Sequence, residues 1–122
     1  MQGVGEHRDL RAYQLALELA AELHALTSRW ASYERWSIGI QLFRAAGSVG
    51  ANIAEAEGRW HAKDRVRFLL VARGSLYEVR HWADLAKRAG LLAEEQFNEQ
   101  LDELGRITNG LIRRTTALVA SS

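Results

Sequence analysis

Hydrophobic and polar positions alternate along this chain at spacings of three and four over nearly its whole length, the period of an α-helix and not of a strand. Four stretches carry the pattern. The first is predicted to run from an N-cap at Asp9 to about Ser28, with a core stripe Ala12, Leu15, Ala16, Leu19, Leu23 and Leu26 that extends to Trp30. A second apolar stripe, Leu10, Tyr13, Leu17, Ala20 and Ala21, continues round the same cylinder and leaves only Arg11, Gln14, Glu18 and Glu22 clearly polar. Apolar side chains thus cover about two-thirds of the circumference, more than the ≳100° stripe a surface helix needs. Either this helix lies deep in the bundle or its second stripe meets another subunit; a bundle helix normally keeps one outer face, so Leu10, Tyr13 and Leu17 are expected at a subunit interface.

After a turn over Ser28 to Tyr33, the stretch Trp36 to Arg59 reads as a helix with three unlike faces, its end marked by Gly58. At about 100° per residue, Ile38, Leu42, Ala45, Ala46, Val49, Ile53 and Ala56 share one apolar face. Ile40, Phe43, Gly47, Gly50, Ala51 and Ala54 form a second face of mostly small side chains. Between them runs a polar line, Gln41, Arg44, Ser48, Asn52, Glu55 and Arg59. Glycine within a helix costs about 1 kcal/mol relative to alanine, so Gly47 and Gly50 are expected to let a neighbouring backbone come close. The polar line is expected to be partly buried and hydrogen-bonded, since an unpaired buried group costs about 1–3 kcal/mol. It reads either as a structural layer that sets helix register or as a ligand-binding line, and the structural reading has the stronger physical basis.

The third helix is expected to start near Ala62 to Asp64 and run to Ala89, with Gly90 as the residue beyond its end and Phe68, Leu69, Ala72, Leu76, Val79, Ala83 and Ala86 on its core face. The fourth is expected from about Ala93, with Glu94 and Glu95 in its first turn and Arg113 and Arg114 near its end, as the helix dipole favours. Phe97, Leu101, Leu104, Thr108, Leu111, Thr115 and Leu118 alternate four and three apart as a heptad seam. Short connections make successive helices antiparallel neighbours. The pattern therefore predicts an all-α, antiparallel up-down-up-down four-helix bundle, one domain over residues 1–122 with a flexible lead over residues 1–8.

Composition reinforces this and excludes several functions. The 122 residues contain no proline and no cysteine, which suits helices and rules out disulfides, thiolate metal sites and cysteine nucleophiles. No apolar run approaches the roughly 20 residues of a membrane span, and the first residues lack the apolar core of a signal peptide. A cytoplasmic protein without a membrane partner is expected. Net charge is only +1, but it is unevenly spread, with a strong basic excess between Arg59 and Gly90.

The second and third helices carry a family resemblance. Gln41-Leu42-Phe43-Arg44-Ala45-Ala46-Gly47-Ser48-Val49-Gly50-Ala51-Asn52-Ile53-Ala54-Glu55-Ala56 resembles the pattern Q-L-R-R-A-A-x-S-I-P-x-N-I-A-E-G of the proteins encoded by intervening sequences in bacterial 23S ribosomal RNA genes. Arg67-Phe68-Leu69, Ala72-Arg73-Gly74-Ser75-Leu76-Tyr77-Glu78, Ala86-Lys87-Arg88-Ala89-Gly90-Leu91-Leu92 and Leu104-Gly105-Arg106-Ile107 extend the likeness over nearly the whole chain. Gly50 stands at the usual proline, Phe43 at a frequent second arginine and Ala56 at a frequent glycine. The resemblance implies a homo-oligomeric four-helix bundle, a pentamer, with no established enzymatic activity. The family is similar in fold to the accessory variability protein of diversity-generating retroelements, which engages nucleic acid and a reverse transcriptase. The resemblance thus implies a second role, assistance to reverse transcription.

The basic excess has a helical geometry. Arg73, Arg80 and Lys87 lie seven apart on one row, each step about 10.5 Å along the axis. Lys63, Arg67, His81 and Arg88 occupy an adjacent row, and Arg59 and His61 lie in the preceding turn. Such a strip could meet RNA or DNA phosphates; the alternative is a solvated face with Asp64, Glu78 and Asp84 interspersed. No base-reading signature accompanies it. Glu78 and His81 have the Glu-x-x-His spacing of di-iron bundles, which need two such pairs and two further inward glutamates. Only one pair is present, off the core face. No metal, cofactor, small-molecule substrate or catalytic residue is therefore expected, and Ser48 and Ser75 read as small packing residues. Half-buried packing is the ordinary role for Trp30, Trp36 and Trp82, while Trp60, in a turn, is the best tryptophan for a partner contact. The function these features favour is that of a non-enzymatic, oligomeric interaction or scaffold protein with nucleic-acid affinity.

Overall fold

A computed structural model describes residues 6–121, with side chains from Leu10 onward. Among the described residues all regular structure is helical: α1 spans Glu6–Thr27, α2 Ile40–Glu57, α3 Ala62–Arg88 and α4 Asn98–Ser121. Helix α1 opens before the expected cap at Asp9, because Glu6, His7 and Arg8 contain no helix breaker. Residues 6–8 of the expected lead are therefore helical, and residues 1–5 lie outside the described residues. The helix ends without glycine. The Ser28 hydroxyl donates to the Ala25 carbonyl at 2.9 Å and satisfies one of the last-turn acceptors.

The approach to α2 differs from the simple turn expected. A short helical turn, Ser32–Glu34, passes into a π-helical segment, Arg35–Gly39, which leads directly into α2. Gly39 explains the close passage there: a Cβ on it would lie 3.2 Å from the Thr27 Cβ and 3.3 Å from the Glu34 carbonyl oxygen. The Ser37 hydroxyl donates to the Tyr33 carbonyl at 2.6 Å within the same winding. Helix α2 ends at Gly58, as its sequence suggests, and α3 begins at Ala62. The end of α3 is a Schellman closure, with the Gly90 N–H donating to Lys87 at 3.1 Å and the Leu91 N–H to Ala86 at 2.8 Å. Gly90 holds φ at 78°, a conformation that disfavours a Cβ.

Helix α4 starts five residues later than expected. Phe97 adopts φ 68° and breaks the helical path, at a cost of about 1–2 kcal/mol. Its ring packs against the core, and its carbonyl accepts the Leu101 N–H at 2.9 Å to open α4. Glu94 and Glu95 therefore lie in the preceding turns, and Glu99 is the acid of the first helical turn. The helix also runs on to Ser121, so Arg113 and Arg114 do not occupy its last turn.

Each long helix packs on two others, α1 against α2 and α4, and α3 against α2 and α4. Contacts between α1 and the stretch that leads into and through α2 run in opposite chain directions, with Ala16 near Gly50 and Thr27 near Gly39. The core joins Leu15, Leu19 and Leu23 of α1, Leu42, Val49 and Ile53 of α2, Leu69, Leu76 and Val79 of α3, and Leu101, Leu104 and Leu111 of α4. Between these large side chains sit buried alanines, including Ala12, Ala16, Ala46, Ala72 and Ala86, which let the helices approach closely. The α4 seam stops short of its expected end, since Leu118 is 52% exposed. No helix among the described residues is long and apolar enough to cross a membrane.

Candidate functional site

The polar line of α2 divides into a covered middle and exposed ends. Ser48 and Asn52 are half-buried under α3, where the Ser48 hydroxyl meets that of Ser75 at 2.8 Å. The Asn52 amide donates to the Ser48 carbonyl at 2.8 Å and to its hydroxyl at 3.1 Å. Gln41 is half-buried, while Arg44, Glu55 and Arg59 lie at the surface. Glu55 and Arg59 form an ion pair at 2.8 Å.

The basic row of α3 faces α4. Arg73 donates to the Asn109 side-chain carbonyl at 3.3 Å, Arg80 to Asp102 at 3.0 Å and Lys87 to the Asn98 side-chain carbonyl at 2.7 Å. All three cations are half-buried, and each meets an acceptor presented by α4. The adjacent row is more open. Lys63 and Arg88 are exposed but occupy opposite ends of α3, about 38 Å apart at ~1.5 Å per residue. Arg59 and Arg67 both lie over the Phe68 ring, with guanidinium carbons 4.6 and 5.0 Å from its centroid. Arg67 also approaches Asp64 at 3.7 Å. Trp60, next to Arg59 in the α2–α3 turn, is 84% exposed. Trp36 is also exposed, whereas Trp30 and Trp82 are half-buried against the core, so half-buried packing does not describe Trp36.

A cleft of about 290 Å³ between α3 and α4 brings Arg73 and Arg80 together with Arg106, Tyr77, Asn109 and Asp102. Sequence spacing on α3 alone does not expose this grouping, because half of it comes from α4. A second, apolar hollow of about 190 Å³ lies where α1 meets the π-helical segment, lined by His24, Trp36, Ile40 and Phe43 among others. There the His24 and Phe43 rings pack at 5.0 Å across the α1–α2 groove. Glu78 and His81 are both exposed, and His81 instead sets its ring edge-on to Trp82 at 4.9 Å. Among the described residues no three histidine or acidic side chains gather as a metal site.

Beside that groove lies an exposed apolar face. Leu10 and Leu17 of α1 are 48% and 49% exposed, while Tyr13 between them is half-buried on the core. Helix α2 adds Phe43 and the small exposed residues Gly47, Ala51 and Ala54. A Cβ on Gly47 would have nothing within 4 Å, whereas one on Gly50 would touch the Ala16 Cβ at 3.5 Å. Gly50 therefore serves a contact within the chain, and Gly47 serves none among the described residues.

The fold has a solved counterpart in the crystal structure of a protein of unknown function from the S23 ribosomal protein family of Bacteroides thetaiotaomicron VPI-5482. The two superpose with a TM-score of 0.78 at 23% identity, covering 91% of this chain and 99% of that one. No curated protein matches the chain. The profile of the 23S rRNA-intervening sequence proteins matches residues 8–113. The chain belongs to the 23S rRNA-intervening sequence protein family.

Proposed function

We propose that this protein is a non-enzymatic helical bundle that assembles with copies of itself and acts as a cytoplasmic interaction scaffold, offering basic groups to RNA or DNA. The observation that carries the assembly is the exposed face shared by α1 and α2. Leu10, Leu17 and Phe43 stand open to water beside a strip nearly free of side chains at Gly47, Ala51 and Ala54. Contiguous apolar patches on a folded surface mark partner contacts. Gly47 costs about 1 kcal/mol of helix stability with no compensating contact among the described residues, and close approach of a second copy would offset it. The family resemblance makes five the copy number to test.

Nucleic-acid contact belongs in this reading to the α2–α3 turn and the start of α3, where the exposed Trp60 and the surface cations Arg59, Lys63 and Arg67 follow one another closely in the chain. Cations beside an exposed aromatic ring suit phosphates and a stacked base. Light scattering tests assembly: the parent should form an oligomer at micromolar concentration, and Leu10→Glu/Leu17→Glu should be monomeric with an unchanged helical spectrum. A monomeric parent removes the assembly role. RNA and DNA titrated at several salt concentrations test the second half, and Trp60→Ala and Lys63→Glu should weaken binding. A parent that binds neither in low salt removes it.

A further inference from the structure

We propose that the cleft between α3 and α4 binds a phosphoryl group, on a free phosphorylated molecule or on a nucleic-acid backbone. Three guanidiniums from two helices, Arg73, Arg80 and Arg106, line one concavity of about 290 Å³. Only one of the three has its charge directly answered, Arg80 by Asp102 at 3.0 Å. Arg73 is held by the neutral side chain of Asn109 at 3.3 Å, and Arg106 is exposed with no ion pair or hydrogen bond among the described residues. Gathering like charges is unfavourable until an anion enters, and a tetrahedral phosphoryl group matches the forked donors of arginine.

Gly105 keeps the cleft open. A Cβ there would lie 3.6 Å from an Arg80 Nη and 3.8 Å from a Leu76 methyl, so a longer side chain would occupy the space beside the guanidiniums. Glycine is disfavoured within a helix, which makes its presence at this wall informative. Tyr77 is 58% exposed at the rim, with a hydroxyl able to donate and a ring face for the organic part of the ligand. The cleft is separate from the α2–α3 turn and does not depend on nucleic-acid binding there.

The test is calorimetric titration of the full chain with inorganic pyrophosphate and with adenosine monophosphate, alongside anisotropy titrations with single-stranded RNA. Pyrophosphate should bind and should weaken with salt. Arg106→Glu and Gly105→Leu should each reduce affinity by at least about tenfold, while Arg106→Lys falls between parent and Arg106→Glu and Arg29→Glu leaves binding unchanged. Thermal melts identify any variant that fails to fold, and Arg106→Gln then replaces it. Small phosphates bound in a cleft-dependent way without RNA binding support the cleft and overturn the nucleic-acid reading. RNA binding weakened by Arg106→Glu supports a backbone phosphate as the occupant. RNA binding indifferent to the cleft variants, with no pyrophosphate binding, overturns the cleft and leaves the turn. Absence of both overturns both.

Discussion

Ser48 of α2 and Ser75 of α3 meet hydroxyl to hydroxyl at 2.8 Å, 27 positions apart in the chain. Asn52 closes the group by donating to the Ser48 carbonyl at 2.8 Å and hydroxyl at 3.1 Å. Small polar residues here let the two helices come together and set their register, since a slipped helix would bury hydroxyls without partners. Ser48→Ala and Ser75→Ala should each destabilise by about 1 kcal/mol. A double-mutant cycle in urea should give a coupling of about 0.5–1.5 kcal/mol. Strictly additive losses would show that the two hydroxyls do not depend on each other.

Thr108 presents the opposite situation. It is fully buried in the α4 seam, and its hydroxyl has no hydrogen-bond partner among the described residues. Valine keeps much of its shape and removes the unmet polar group, so Thr108→Val should raise stability by about 1 kcal/mol. A lowered urea midpoint at unchanged slope would contradict this.

Gly39 sits where the π-helical segment presses on the end of α1. A methyl group there would meet the Thr27 Cβ at 3.2 Å, the Glu34 carbonyl oxygen at 3.3 Å and the Trp30 ring at 3.4 Å. Alanine's better helix propensity is worth about 1 kcal/mol, and overpacking costs about 1–3 kcal/mol. Gly39→Ala should therefore be destabilising on balance, read as a lower melting temperature. A gain would mean that α1 and the segment can part freely.

Gly47 and Gly74 are exposed helical glycines with nothing within 4 Å of a modest side chain's first atom. Each changed to alanine should stabilise the folded subunit by about 0.5–1 kcal/mol. Their larger substitutions should differ. Gly47→Leu should lower the assembly state seen by light scattering, because it stands on the apolar α1–α2 face, and Gly74→Leu should leave it unchanged. Identical behaviour of the two would place the subunit contact elsewhere.

The helical pattern alone determined the four long helices and most of their core faces. Leu19, Leu42, Ile53, Leu76, Val79, Leu104 and Leu111 lie on the stripes their spacing predicts and are buried. This works because a helix writes its buried side into the order of its own residues, with no knowledge of what lies opposite. The ends at Gly58 and Gly90 were legible for the same local reason. Leu118 continues the heptad spacing yet stays exposed, since spacing does not record where the neighbouring helices stop.

What tertiary structure decided concerns pairs of residues far apart in the chain. The cations Arg73, Arg80 and Lys87 read alike along α3, but their surroundings depend on Asn109, Asp102 and Asn98 arriving from α4. Arg106 joins the first two in one cleft for the same reason. Packing also outweighed local preference at Phe97, whose ring reaches the core through a backbone conformation that its residue type disfavours. Periodicity specifies a direction from each helix axis; only the packed helices specify what that direction meets.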